Sequence, residues 1–398
     1  MRVPRRQPPV VSHVSPSAVL AAARVAARRY AGRVDRGDEV VRSALSTRYD
    51  ARAVALTDSG TAALVLAMRL TAPRGTVALP AYGCVDLIAA AVRARVRVRL
   101  YDVDPATLSP DLGSVRQALG RGADAIVVAH FYGYPADVPG VRALADAAGA
   151  RVIEDAAQQA GGRLGGVRLG AFGPLSVFSF GRGKGTTGGR GGALLATAEA
   201  GAAAIGAVEA AGRAMPPRAA GWGEVVIAAA QWVLGRPAAY GIAASLPGLH
   251  LGETIYHPAG EPGPLSRAAA ALVRRGLPHA DAERLARARV AESLIAQLAR
   301  VPSFHPVRPI AGGMPGYLRM AVLDGAGRRP APAMGIVRSY PRPLAEEPEL
   351  APIIHRGEPD APGARDICRT LLTLPVHEYV TLADERQIVE WASSVAMG

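Results

Sequence analysis

Along the first half of the chain, short apolar runs alternate with stretches whose apolar residues recur every three or four positions. That alternation predicts strands feeding helices. RAVAL (52–56) precedes a helical pattern over 61–70, TVALP (76–80) precedes 85–94, and VRVRLYDV (96–103) precedes 111–120. ADAIVVAHF (123–131) precedes 137–149, and RVIED (151–155) comes next. Strands and helices alternating at this spacing imply parallel pairing with right-handed crossovers. Fully apolar runs such as AIVVA fit strands buried on both faces. Beyond residue 170 the pattern changes to LSVFSF (175–180) and GGALLAT (191–197), joined by a glycine-rich segment, which predicts a hairpin or two neighbouring strands.

From about residue 198 the chain turns helical. Residues 264–300 read as two helices meeting around 276–278, followed by a strand, GYLRMAVL (316–323), and a closing helix over 382–396. An amphipathic helix is expected at 17–30, and the Pro/Gly-rich stretches 257–264 and 302–316 read as loops. The most apolar segment, VVIAAAQWVLGRPAAYGIAASLPGL (225–249), is broken by Arg236 and Pro237. The pieces are shorter than the roughly 20 residues a spanning helix needs, so a buried or interfacial helical pair is expected instead. No internal repeat is present. The division expected is a large ligand-binding domain over 1–250 and a smaller domain over 251–398, with the N-terminal helices free to pack on the smaller one.

Composition sharpens this in one place. Of 46 Lys plus Arg, a single residue, Lys184, is lysine. Arginine serves any surface role for a cation but cannot act as a deprotonated amine near neutral pH. A lone lysine in a glycine-rich stretch is therefore a candidate for amine chemistry, against the plain alternative of a chance codon. The net charge of +13 invites a nucleic-acid reading. The arginines are spread along the whole chain, however, with no long basic run, zinc-knuckle spacing or aromatic RNA-binding motif. A general arginine-for-lysine bias with moderately few acids accounts for the charge, which also suits the approach of an anionic substrate. Two cysteines, Cys84 and Cys368, make no disulfide framework and fit a reducing, cytoplasmic compartment. The Arg-rich N-terminus lacks the uninterrupted apolar core of a secretory signal.

Candidate chemistry gathers at strand ends, where open α/β sheets bind ligands. Ser59-Gly60-Thr61 lies between a strand and a helix, offering amides to a phosphate or simply capping the helix. Asp155 closes an apolar strand, where a carboxylate meets a protonated ring nitrogen or, again, caps a turn. FSFGRGKGTTGGRGG (178–192) places Ser179 five residues before Lys184 among glycines that permit close backbone approach. It is not a nucleotide P-loop, since Gly185 follows the lysine. His130 and His377 read as structural histidines, Tyr132 and Tyr134 as turn-shaping residues, and Cys84 as a packing residue.

Taken together, the SGT turn, the strand-end aspartate and Ser-x-x-x-x-Lys resemble the fold-type I pyridoxal phosphate (PLP) enzymes. Among these the chain looks like the DegT/DnrJ/EryC1/StrS sugar aminotransferases. The resemblance runs through SGTAAL, LPAYGC, YDVDPATL, HFYGYPADV, VIEDAAQ, GGVRLGAFGPLSVFSFGRGKGTTGGRGGALL and LPVHEYVTLADERQIVEW. It is looser through PLSRAAAAL, ARVAESL and SYPRPL. It implies an α/β fold, with a mixed, mostly parallel sheet flanked by helices and a smaller α+β C-terminal domain, assembled as a homodimer. It also implies that Lys184 carries PLP as a Schiff base, that Asp155 holds the pyridine nitrogen protonated, and that Gln158 lies near the ring. Ser59, Gly60, Thr61 and Ser179 fall to the phosphate.

Two departures stand out. Gly83 and Cys84 replace the threonine and ring-stacking aromatic usual in LPAYGC, leaving Tyr82 or a smaller group to face the ring. GEPGPLSRAAAAL (260–272) stands where the family's Asn-Tyr-Arg cluster, donated by the partner subunit, is expected. The function implied is transfer of an amino group from glutamate or glutamine to a keto sugar, nucleotide-linked, in natural-product or polysaccharide biosynthesis. The alternatives are a PLP enzyme acting on a non-sugar or lipid-like carbonyl, one catalysing a non-transaminating step, and a non-catalytic regulator on the same fold. An intact Lys184, Asp155 and Ser179 and the lack of a helix-turn-helix weigh against the last.

Overall fold

The computed structural model describes residues 5–28, 37–216, 218–245 and 255–394. Two helices, α1 (Pro16–Ala27) and α2 (Gly37–Tyr49), lead into β1 (Ala51–Thr57), α3 (Gly60–Thr71), β2 (Thr76–Pro80), α4 (Asp86–Ala94) and β3 (Arg97–Tyr101). The alternation continues through α5 (Leu112–Gly120), β4 (Ala125–Ala129), α6 (Val138–Ala148) and β5 (Arg151–Asp155). A short pair, β6 (Arg163–Leu164) and β7 (Val167–Arg168), precedes β8 (Leu175–Ser179) and β9 (Gly192–Thr197). Helices α7 (Gly201–Arg213), α8 (Trp222–Leu234), α9 (Pro237–Ala243), α10 (Arg267–Gly276) and α11 (Ala280–Leu298) follow. The chain closes with β10 (Phe304–Pro306), β11 (Gly313–Met314), β12 (Met320–Asp324), α12 (Pro362–Thr370), β13 (Leu371–Leu374) and α13 (Leu382–Ser393).

Seven strands form the main sheet in the order β1-β9-β8-β5-β4-β2-β3. The five from β8 to β3 pair in parallel. The glycine-rich connection therefore joins antiparallel neighbours, since β9 runs against both β8 and β1. One consequence departs from the simple alternating pattern: β1 pairs only with β9 and not with the next strand in sequence. The apolar runs of β2 and β4 are buried at every position, as strands covered on both faces must be. Alanine-rich helices lie close on the sheet, with Ala62, Ala63 and Ala67 of α3 buried in the main core.

A second sheet, β10-β12-β13, is antiparallel. A third, β11-β6-β7, is built from two-residue strands, of which β11 lies in the stretch 302–316 expected to be a loop. The strand expected over 316–323 begins only at Met320. Tyr317 adopts a left-handed backbone (φ 46°), which no regular strand accommodates. Residues just before β12 instead reach back to the main sheet's edge, where Gly316 N donates to Gly133 O (2.8 Å) and Leu318 N to Tyr132 O (2.9 Å). The closing helix ends at Ser393 and α1 at Ala27; the remainder of each expected helix lies wholly or partly outside the described residues.

Arg236 and Pro237 break the apolar segment as expected, and α8 and α9 meet at a bend of 109°. No single helix among the described residues is long and apolar enough to cross a membrane; residues 246–250 of this segment lie outside them. Helix α1 packs its alanine face, Ala18, Ala22 and Ala26, on Val225 and Ala228 of α8 and Ala268 and Leu272 of α10. Ahead of α1, an extended strap runs to the C-terminal part. Gln7 N donates to Ala333 O (2.9 Å), His377 Nε2 to Pro8 O (2.8 Å), and Arg5 pairs with Asp384.

Candidate active site

The register of the main sheet brings the candidate residues to one edge. Ala129 pairs with Asp155, Asp155 with Val177, and Ser179 with Gly192, so the ends of β4, β5 and β8 lie side by side. Ser59 bridges Gly191 at the same edge. Ser59 caps α3, accepting from Ala62 N (3.1 Å), so the capping reading holds. Glycine is required here by space. A Cβ on Gly60 would lie 2.7 Å from Ser179 Cβ, and one on Gly192 only 2.4 Å from Ser59 O. Ser59, Gly60, Thr61 and Ser179 thus form one continuous patch of a serine hydroxyl, a second capped hydroxyl and a helix N-terminus, the composition of an anion cradle.

Lys184 lines a cavity of about 630 Å3. Its polar wall carries Lys184, Gln158, Tyr132, Tyr340, Arg319 and Ser339. Its apolar lining comes from Ile227, Ala230 and Leu234 of α8 and Val10 and Val11 of the strap. A void of about 20 Å3 adjoins it, lined by Asp155, His130, Phe131 and Leu87. Cys84 and Gln158 line both spaces, so Asp155 and Lys184 face regions that share two walls.

Several polar groups here have a definite tether. Tyr132 N donates to Gln158 Oε1 (3.0 Å) from a left-handed turn (φ 54°), and Gln158 Nε2 donates to Tyr340 Oη (2.8 Å). Both ends of the Gln158 amide are thereby fixed. His130 Nδ1 accepts from Ala136 N (3.0 Å) and its Nε2 donates to Glu154 Oε1 (2.8 Å), a structural role for the imidazole. Ser12 Oγ donates to Lys184 O (2.7 Å), tying the strap to the lysine's own backbone.

Asp155 is left in need of a donor. Ala157 N donates to its Oδ1 (2.9 Å), and no other hydrogen bond reaches the carboxylate among the described residues. Burial pushes its pKa up, with the Ala157 amide and the Lys184 charge pulling the other way. The Lys184 amine likewise makes no hydrogen bond among the described residues. A half-buried carboxylate short of an N–H donor, a lysine amine and an anion cradle fit a PLP molecule, which carries a ring N–H, an aldehyde and a phosphate.

The departures noted in LPAYGC have structural counterparts. Tyr82 lines neither space. Its hydroxyl bonds Tyr132 Oη (2.6 Å) and its ring is wedged edge-on against Phe131 and Tyr340. Cys84 takes the wall position, and burial followed by the Asp86 charge pushes its thiol up to about 12. A side chain on Gly83 would crowd Leu87, 3.1 Å from an added Cβ, so the space a larger residue needs is already filled. His377 bonds Pro8 O and has the structural role expected of it. Arg182, Arg319, Ser339, Tyr340 and the strap had no local signal as site residues. Only SYPRPL, already one of the matched segments, pointed toward Tyr340.

A mostly parallel α/β sheet with a lysine-bearing glycine loop facing a strand-end carboxylate defines a fold of the PLP-dependent transferase class. Within that class, the chain belongs to the DegT/DnrJ/EryC1/StrS aminotransferase family, whose model matches residues 23–392. The sugar aminotransferase CalS13 from Micromonospora echinospora has the same fold, with a TM-score of 0.73 at 22% identity, covering 97% of this chain and 99% of that one. The S. venezuelae protein DesV, crystallised with a ketimine intermediate, superposes with a TM-score of 0.71 at 24% identity over 95% of each chain. In sequence, the chain is 35% identical over 144 residues to a UDP-N-acetyl-3-dehydro-alpha-D-glucosamine 3-aminotransferase of Acidithiobacillus ferrooxidans. That match spans 36% of this chain and 39% of the relative's length. An L-glutamine:2-deoxy-scyllo-inosose aminotransferase of Streptomyces kanamyceticus is 35% identical over 34% of this chain and 33% of its own.

Proposed function

We propose that the chain is a PLP-dependent aminotransferase that moves an amino group from glutamate or glutamine to the carbonyl of a sugar, in its nucleotide-linked form. The observation that carries this is the placement of the chain's single lysine on the cavity that shares Cys84 and Gln158 with the Asp155 void. When bound, PLP supplies an aldehyde and an electron-withdrawing ring that acidifies the bond between the amine-bearing carbon and its hydrogen.

The protein's own groups do the rest. Lys184 holds the cofactor through its amine and, once displaced by the donor's amine, moves a proton at the donor's α-carbon. Asp155 accepts the ring N–H and gains the donor it lacks. Gln158, fixed by Tyr132 and Tyr340, presents an amide to the ring. Ser59, Gly60, Thr61 and Ser179 receive the phosphate. The glutamine donor and the sugar-type acceptor accord with relatives named for those substrates. A homodimer is part of the same proposal, for which the solution mass is the direct measurement.

A second reading is favoured by the apolar wall of Ile227, Ala230 and Leu234: an acceptor carbonyl borne on an apolar natural product or lipid. Absorption spectroscopy tests the cofactor. Purified protein supplied with PLP is expected to show a visible band that Lys184→Ala abolishes. A protein that stays colourless with added PLP overturns the proposal. Conversion of the band by glutamate or glutamine, then its recovery with keto sugars but not apolar ketones, separates the two acceptor readings.

A further inference from the structure

Arg319 is a half-buried arginine on the cavity wall. Several half-buried arginines hold a carboxylate, as Arg99 does Glu358 (2.9 Å), Arg168 Asp281 (2.7 Å) and Arg328 Asp324 (2.7 Å), while Arg163 and Arg338 donate to backbone carbonyls. Arg319, immediately before β12, makes no ion pair among the described residues. Its one side-chain hydrogen bond goes from Nη1 to Ser339 Oγ (2.7 Å). That leaves most of a five-donor fork unused, on the wall of the cavity that Lys184 also lines.

The surroundings say what the fork awaits. Among the described residues of the cavity wall Asp86 is the one carboxylate, against Arg182, Lys184 and Arg319, so these side chains sum to a net positive charge. Arg319 lies by the paired rings of Tyr132 and Tyr340; burial pushes both phenols up while the Arg319 charge draws them back. Tyr340 in turn holds Gln158, three residues past Asp155. Arg319 therefore belongs to the same tethered wall as the groups facing the reaction centre, whereas Arg182 is exposed at the rim.

We propose that Arg319 binds the α-carboxylate of the amino donor, fixing which amines react. This rests on the aminotransferase reading above. The donor's α-carboxylate is bonded directly to the carbon at which Lys184 must move a proton, so its anchor has to share Lys184's cavity. A guanidinium with its planar edge free is the group that pairs bidentately with a carboxylate. Held by Ser339, it is pre-oriented, and the donor's carboxylate supplies the counter-charge the cavity lacks.

The test follows the donor half-reaction by the loss of the visible band, using glutamate or glutamine, whichever converts the wild-type holoenzyme. Arg319→Gln should raise the donor concentration for half-maximal conversion on the order of 30- to 100-fold, the loss of a charged hydrogen-bonded pair. Arg319→Lys should recover part of it. The reverse half-reaction, the aminated enzyme with its acceptor, should keep its acceptor dependence. One arm needs no variant. Wild-type enzyme given the donor without its α-carboxylate (4-aminobutyrate for glutamate, 4-aminobutanamide for glutamine) should convert at least as poorly as Arg319→Gln with the full donor. Equal conversion by the decarboxylated amine, or an acceptor dependence that weakens in Arg319→Gln while the donor dependence stays, overturns the assignment. A wild-type enzyme that forms no band, or that no donor converts, fails at the earlier proposal instead.

Discussion

Glu154, adjacent to Asp155 but pointing to the other side of the strand's end, is the residue whose replacement should do most damage without touching the cavity. Its carboxylate is fully buried and receives five donors: His130 Nε2 (2.8 Å), Gly170 N (2.6 Å), Phe172 N (2.8 Å), Gly173 N (2.7 Å) and Ser176 Oγ (3.2 Å). Burial works against its charge, but His130 and the amides of Gly173 and Gly170 outweigh it and hold its pKa below the usual carboxylate range. Glu154→Gln keeps the shape and swaps one acceptor oxygen for an NH2 that donates. Whichever oxygen is replaced, at least two protein donors lose their acceptor inside the core. At ~1–3 kcal/mol for each buried donor left unsatisfied, the loss is roughly 2–6 kcal/mol. That is a large part of the 5–15 kcal/mol about which domain stabilities cluster. Urea unfolding followed by circular dichroism measures it as a drop in midpoint. The sign with pH also follows: this stabilisation is present above the unfolded carboxylate pKa and fades as pH falls through the lower folded value. A Glu154→Gln protein within about 1 kcal/mol of wild type would refute this account of the five donors.

Two further outcomes are expected. Glu283 of α11 is pushed up to about 7 by burial, with Arg287 (3.6 Å) and His13 pulling against it. A carboxyl with a raised folded pKa stabilises most below its unfolded pKa and loses that contribution as pH rises to about 7. Glu283→Gln should therefore flatten the stability profile between about pH 4.5 and 7 and be the more stable form at pH 8, as thermal melts across pH will report. Burial raises the Cys84 and Cys368 thiols to about 12 each, so neither should react with a disulfide reagent at pH 8 until the protein is unfolded. Rapid release of one thiol from the folded protein would contradict the packing described around Cys84.

The parts of the site that were legible in the sequence are those carried by a strand and the few residues after it. Asp155, Ser179 and the Ser59-Gly60-Thr61 turn each sit at the end of an apolar run, and parallel strands bring their ends to one edge by topology alone. Tyr82 was a different matter. Its place in LPAYGC suggested a ring facing the cofactor, but the turn at Tyr132 captures its hydroxyl and leaves Cys84 at the wall. That exchange depends on a left-handed residue 50 positions away and has no local trace. The strap, Arg319 and Tyr340 escaped notice for the same reason. They sit in irregular segments whose positions are set by hydrogen bonds across the molecule, such as Gly316 to Gly133 and Gln7 to Ala333. Where Tyr317 breaks the expected strand, the break itself delivers Leu318 and Arg319 to the cavity.

The lone lysine gains its meaning from how the arginines are used. With 46 basic residues against 33 acidic ones, this chain assigns its ion pairing to guanidinium groups, many forked onto carboxylates as Arg168 is onto Asp281. A guanidinium stays charged at any pH an enzyme meets and so cannot attack an aldehyde or carry a proton to and from carbon. An amine can, and Lys184 is the one amine side chain the sequence contains. Its backbone carbonyl is held by Ser12, while its side chain makes no hydrogen bond among the described residues. The loop is fixed and the amine is free, which is what a group that must alternately hold a cofactor and release it requires. Arg319 faces the same cavity with the converse properties, a permanent charge and a planar fork suited to holding a carboxylate still. The two cations are therefore not interchangeable. Exchanging them, Lys184→Arg with Arg319→Lys, would conserve the cavity's charge and remove the chemistry.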